Sequence, residues 1–131
     1  MKTLDNVRVL VVDDDADSRE MIRTALVLHG AAATCVADAR EGLAAIARER
    51  PDVVVSDIGM PGADGHAFLR QLRALPRRKG GHIPAVALTG HTSREARVAS
   101  REAGFHYHLD KPVDLAKLLG IVESLVRLTQ E

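Results

Sequence analysis

Three consecutive carboxylates, Asp13-Asp14-Asp15, follow the apolar run ending Val11-Val12. A fourth, Asp57, closes the run Val55-Ser56. A hydroxyl, Thr89, closes Ala87-Leu88, and an ammonium, Lys111, follows His108-Leu109-Asp110. Each has an ordinary explanation when taken alone. Asp14 or Asp15 suits the cap of a following helix, Asp57 and Thr89 suit turns, and Lys111 suits a solvated loop. Together they form a set fitted to phosphoryl transfer onto a carboxylate. Acids crowded beside Asp57 repel one another unless a cation neutralises them. Oxygen ligands from acids, a backbone carbonyl and water suit Mg²⁺ (or Mn²⁺). Such a metal would let Asp57 approach an anionic phosphoryl group as a covalent nucleophile, with Lys111 as a second positive charge and Thr89 as a donor to the same oxygens. A calcium loop over Asp13, Asp15 and Asp17 is excluded, because its sixth and twelfth positions are Ser18 and Thr24 instead of Gly and Glu.

These residues converge only if the elements before them lie side by side. The runs Val7–Val12, Val53–Ser56 and Ala85–Leu88 are continuous and valine- or alanine-rich, as strands buried on both faces of a parallel sheet should be. Ala32–Val36 and, less distinctly, Phe105–Leu109 complete a set of five. Between them lie helical stripes. Met21, Ile22, Ala25, Leu26 and Leu28 end at a C-cap at His29-Gly30. Leu43 and Ile46 follow Asp38 as N-cap, and Phe68, Leu72 and Leu75 stop at Pro76. Leu115, Leu118, Leu119, Val122, Leu125 and Val126 form the last stripe. Thr92 and Glu95 fit a capping box for a helix reaching Ala103, whose apolar side is mostly alanine. Alanine buries little area, so this fourth helix is expected to be the most easily displaced. Five strands alternating with five helices imply a doubly wound α/β domain that binds ligands at the carboxyl ends of its strands.

Composition sets further bounds. The chain has 131 residues, 46% hydrophobic and 27% charged, which suits one domain, residues 1–131, with its own core. Eighteen basic and eighteen acidic residues cancel, leaving no overall field to attract nucleic acid. Arg77-Arg78-Lys79 reads as a solvated loop, and Arg94, Arg97 and Arg101 as a basic stripe on the fourth helix. Cys35 is the only cysteine and reads as a small buried hydrophobe. No secretory leader or membrane-spanning run is visible, so a cytoplasmic location is expected.

The motifs Val9-Leu10-Val11-Val12-Asp13-Asp14-Asp15, Ser56-Asp57-Ile58-Gly59-Met60-Pro61-Gly62-Ala63-Asp64-Gly65, Ala87-Leu88-Thr89-Gly90 and Lys111-Pro112 together resemble the receiver domain of two-component response regulators, over the whole chain. The resemblance implies a flavodoxin-like sheet in the order 2-1-3-4-5, the order found in the chemotaxis regulator of that family. It also implies Asp57 as phosphoacceptor, Asp13, Asp14, Asp57 and the backbone carbonyl of Gly59 as metal ligands, Thr89 and Lys111 as phosphoryl sensors, and a cis Lys111-Pro112 bond. The donor would be a histidine kinase or a histidine phosphotransfer protein. The output would be a change in the surface of the fourth helix, fifth strand and fifth helix, presented to a downstream protein target. The Ala-Leu-Thr-Gly and His-Leu-Asp-Lys-Pro segments resemble receivers of hybrid sensor kinases or chemotaxis-type regulators, and no output domain is expected before Glu131. Gly59 and His91 fall where the family tunes phosphoryl lifetime. One departure stands out: His108 occupies the position where receivers often carry a Tyr or Phe that rotates inward. Strand alternation places His108 with His106 on one face, and Tyr107 with Phe105 and Leu109 on the other, so His108 is the candidate switch residue together with Thr89. Two other readings compete, a haloacid-dehalogenase-type phosphohydrolase and a receiver-like module that never meets phosphate. The first calls for an Asp-x-Asp-x-Thr/Val pattern after the first strand, which Asp17 and Ser18 do not supply, and the second would be expected to have lost at least one site residue.

Overall fold

The computed structural model describes residues 3–59, 65–90 and 93–130, so Met60 to Asp64 of the acceptor motif, and His91 and Thr92, lie outside the described residues. Within them run β1 (Arg8–Val12), α1 (Ala16–Leu28), β2 (Ala32–Val36), α2 (Ala39–Glu49), β3 (Val53–Asp57), α3 (Gly65–Arg73), β4 (Ala85–Thr89), α4 (Arg94–Ala103), β5 (Tyr107–Asp110) and α5 (Leu115–Gln130). The strands form one parallel sheet in the order β2-β1-β3-β4-β5. This is the doubly wound, flavodoxin-like fold expected.

The absence of polar alternation in the central strands follows from burial on both faces. Val9, Val11, Val53, Val55, Val86 and Leu88 point into a core with α1 and α5, where Ile22, Leu26, Leu118 and Val122 meet them. Leu10, Val12, Val54, Ala85 and Ala87 point the other way, against Ile46 of α2, Phe68, Leu69 and Leu72 of α3, and Ala103 of α4. Phe68 is fully buried, and its ring lies where a Cβ on Gly42 would come within 3.0 Å. The glycine in the middle of α2 is thus explained by the close approach of this ring.

Capping is as the residue types suggest, with one correction. Asp38 caps α2 by accepting from the Glu41 N–H, and α1 ends at His29 followed by Gly30 at φ 98°. The expected cap of α4 at Thr92 moves to Ser93, whose side chain accepts from the Ala96 N–H. The hydroxyl two residues before Glu95 therefore satisfies the first turn's exposed donor. Arg77–Lys79 forms a short 3₁₀ turn, not a loop without structure, and it is exposed as expected.

The fifth strand needs a larger correction. It begins at Tyr107, two residues later than the pattern suggested, and includes Asp110. Phe105 lies before the strand and packs in the α3–α4 core, whereas Leu109 packs in the α1–α5 core, so the two do not share a face. His106 also precedes the strand, and its Nδ1 accepts from the backbone N–H of Ala85. Strand alternation could not be applied to residues that are not yet extended.

The helix α4 buries only Ser100 and Ala103, and leaves Val98 47% exposed. Phe68, in contrast, anchors a whole face. Phe68→Ala is expected to lower the unfolding free energy by about 3–5 kcal/mol, read as a lower urea midpoint at an unchanged slope.

Candidate functional site

The parallel sheet sets all its carboxyl ends at one edge, and the strand order puts β1 beside β3, then β4, then β5. Asp13 follows the last residue of β1, Asp57 is the last of β3, Thr89 the last of β4, and Lys111 follows the last of β5. The residues singled out by type are therefore brought together by the topology.

Asp13 is fully buried. Its backbone N–H donates to the Val36 carbonyl at 3.1 Å, its Oδ1 accepts from the Asp15 N–H at 2.9 Å, and its carbonyl accepts from Arg19 Nη1 at 2.8 Å. Its Oδ2 is buried with no hydrogen-bond partner among the described residues. Burial, the largest influence, raises the Asp13 pKa above the ordinary carboxylate value, and the charges of Asp57 and Asp14 act in the same direction. The Asp15 N–H and Lys111 act against it. Asp14 is exposed, and a carboxylate oxygen from each of Asp13, Asp14 and Asp57 lies within 4.8 Å of the others. Asp15 has a different task. It is the N-cap of α1, accepting from the Ser18 hydroxyl at 2.9 Å and the Ser18 N–H at 3.2 Å, and the hydroxyl is the main cause of its lowered pKa.

Asp57 is buried, with each of its oxygens engaged: Oδ2 meets Lys111 Nζ at 3.0 Å, and Oδ1 accepts from the Gly59 N–H at 3.0 Å. A Cβ on Gly59 would lie 3.6 Å from Oδ1, an ordinary contact, so bare backbone is not sterically required there. Thr89 is buried, and its carbonyl accepts from the Lys111 N–H at 2.8 Å, which ties the end of β4 to the lysine. The Lys111-Pro112 peptide is cis. His108 sits beside Ala87 in the sheet register, with its side chain 12% exposed and its Nε2 3.5 Å from Asp110 Oδ1. Neither ring nitrogen has a hydrogen-bond partner among the described residues.

A carboxylate oxygen buried without a donor, next to two further carboxylates, fits a divalent cation bound through oxygen. Residue types alone did not point to Arg19. Its position four residues after the cap Asp15 was the only signal that it could reach back to the Asp13 carbonyl. Cys35, half-buried with burial raising its thiol pKa, is the small hydrophobe expected.

The family model described as the response regulator receiver domain matches residues 9–123. The chain belongs to that family. Response regulator MprA of Mycolicibacterium vanbaalenii is 42% identical over 123 residues, which are 94% of this chain and 52% of that protein. The chain thus spans about half the length of that relative. The receiver domain of Francisella response regulator 1452 superposes with a TM-score of 0.86 at 31% identity, over 95% of this chain and 99% of that one. The receiver domain of the sensor histidine kinase PA1611 from Pseudomonas aeruginosa, solved with a magnesium ion in its active-site cleft, superposes with a TM-score of 0.82 at 28% identity, over 92% and 97% of the two chains. This receiver is therefore a signalling domain of the two-component type. No helix among the described residues is long and apolar enough to cross a membrane.

The raised pKa of Asp13 fixes the sign of a stability effect. The folded receiver disfavours the carboxylate, so Asp13 costs stability at neutral pH, and the cost is relieved as pH falls through the raised folded value toward the ordinary range. Asp13→Asn is expected to raise the melting temperature at pH 7 in EDTA, by about 4 °C for each kcal/mol relieved at this chain length. The same substitution should remove any stabilisation that Mg²⁺ gives the wild type.

Proposed function

We propose that this receiver accepts a phosphoryl group on Asp57 from the phosphohistidine of a histidine kinase or a histidine phosphotransfer protein. The observation that carries the reading is the engagement of a buried Asp57 by Lys111 on one oxygen and the Gly59 N–H on the other, beside the orphaned oxygen of Asp13. A carboxylate oxygen of Asp57 attacks phosphorus, the P–N bond breaks, and the imidazole leaves with its electron pair. Asp13, Asp14, Asp57 and the Gly59 carbonyl would hold Mg²⁺ (or Mn²⁺), which when bound supplies positive charge to the phosphoryl oxygens. Lys111 is placed to move from the Asp57 carboxylate to those oxygens as charge builds on them. Thr89, at the end of the neighbouring strand, would donate its hydroxyl to the same group and leave its resting position.

Thr89 and His108 together are the proposed switch. His108 pairs with the small Ala87 in the register, and an imidazole with no hydrogen-bond partner among the described residues has little to lose by turning. The surface of α4, β5 and α5 would then change its affinity for a downstream protein target, an ordinary population shift. The receiver would work in the cytoplasm as a separate regulator, residues 1–131, or as the receiver module of a larger sensor kinase.

Intact mass after incubation with acetyl phosphate and Mg²⁺ is the direct test. One phosphoryl adduct is expected, absent when EDTA is added first and absent in Asp57→Asn. An adduct that persists in Asp57→Asn would overturn the assignment. In a complex with beryllium fluoride as phosphoryl mimic, the His108 χ1 angle is expected to change; an unchanged rotamer would leave Thr89 as the sole switch.

A further inference from the structure

Among the described residues, two polar links of different character join the weakly buried helix α4 to α3. At the end far from the site, Arg73 of α3 donates from Nε (3.1 Å) and Nη2 (2.7 Å) to the carbonyl of Gly104, the C-cap of α4. Its Nη1 donates to the carbonyls of Gly81 (3.0 Å) and Ile83 (2.6 Å) on the approach to β4. One guanidinium therefore satisfies three carbonyls from two segments, and its loss from this position would orphan all of them. At the start of α3, His66 Nε2 is hydrogen-bonded to Ser100 Oγ at 3.0 Å, one turn before Gly104 in α4, and the His66 ring meets Phe105 edge-on with centroids 6.4 Å apart. Ser100 is one of only two buried residues of α4.

His66 is coupled to the acceptor by backbone. It is the second residue of α3, and Gly65 before it donates its N–H to the Ile58 carbonyl at 3.3 Å. A Cβ on Gly65 would lie 2.6 Å from both the Asp57 carbonyl oxygen and the Ile58 Cα. The start of α3 thus rests directly on the backbone of Asp57, so a displacement of that backbone is passed to His66. The Ser100 hydroxyl also has an alternative partner, because a serine inside a helix can turn back to the carbonyl four residues earlier, here that of Ala96. Breaking the His66 link leaves no buried group permanently unpaired, whereas breaking the Arg73 link does.

We propose that the His66–Ser100 hydrogen bond is a latch holding α4 in its resting position, that Arg73 is a fixed pivot at the Gly104 cap one turn further on, and that phosphorylation of Asp57 shifts α4 by releasing the latch and not the pivot. This rests on the reading of Asp57 as phosphoacceptor. His66 is a positioning residue in it: it acts on α4 through Ser100 and does not touch the phosphoryl group. Because ligand and latch act on one equilibrium, weakening the latch also favours the form that accepts the phosphoryl group.

The test uses the full chain as wild type, Ser100→Ala, His66→Leu and the double variant, with amide hydrogen exchange and the rate of adduct formation from acetyl phosphate measured on each. Ser100→Ala is expected to speed exchange over residues 94–100 about three- to tenfold, the weight of one neutral hydrogen bond, while the amides next to Gly104 stay at wild-type rates. Phosphorylation should accelerate by a similar factor, and the double variant should do no more than either single one. Exchange at wild-type rates throughout α4, or raised evenly as far as Gly104, would overturn the latch. So would localised loosening with no faster adduct formation, since a purely structural contact gives that result. If the wild type forms no adduct at all, the phosphoacceptor reading fails, and the exchange data still decide whether the hydrogen bond holds α4.

Discussion

The structure turns on the burial of negative charge at one edge of the sheet. Asp13 and Asp57 are both removed from solvent, with Asp14 beside them, and Lys111 is the one ammonium that directly meets Asp57 among the described residues. Water cannot screen charges placed this way, and burial alone raises the Asp13 pKa. Such a cluster persists only in a framework that over-determines it. Here the framework is the central pair β1 and β3, in which Val9–Val12 and Val53–Val55 are apolar on both faces and Ser56 is small and self-satisfied through the Asp57 carbonyl. The hydrophobic sheet holds the carboxylates where they would not gather spontaneously.

The same edge explains why several roles that look interchangeable in sequence are separate in space. Asp13, Asp14 and Asp15 are consecutive, yet one is buried with an unpaired oxygen, one is exposed beside it, and one turns back to cap α1. Capping by Asp15 fixes the start of α1, and Arg19 one turn later fixes the Asp13 carbonyl. Local helix-start chemistry and the acidic site therefore share a scaffold, joined by the Asp15 N–H on Asp13 Oδ1 and Arg19 on the Asp13 carbonyl.

The two faces of the sheet are unequal. The α1–α5 side is packed with aliphatic side chains from both helices. On the opposite side Phe68, Leu69 and Leu72 secure α3, while α4 contributes a serine and an alanine to the interior. A helix with so little apolar area is held in large part by polar contacts, and those are directional and switchable where apolar burial is not. This asymmetry places the helix with the least buried apolar area next to β5, whose His108 ring has no hydrogen-bond partner among the described residues.

Buried parallel strands must be continuous in apolar residues, and their ends must carry the polar chemistry. The fold class, the five strands and the candidate residues gathered at the strand ends were therefore legible in the chain itself. Asp13, Asp57, Thr89 and Lys111 stood out since each ends such a run. The resemblance to receivers supplied the strand order and the roles. Packing alone settled the features that depend on contacts between distant segments. The start of β5 is set by pairing with β4, so Phe105 and His106 could not be placed by alternation. The cap of α4 is set by which hydroxyl reaches the Ala96 N–H, and Ser93 does so. The links of Arg73 to Gly104 and His66 to Ser100 join residues more than thirty positions apart, and no periodicity within either helix encodes them. Local pattern fixes which side of an element is apolar; only the packed chain fixes which polar group meets which.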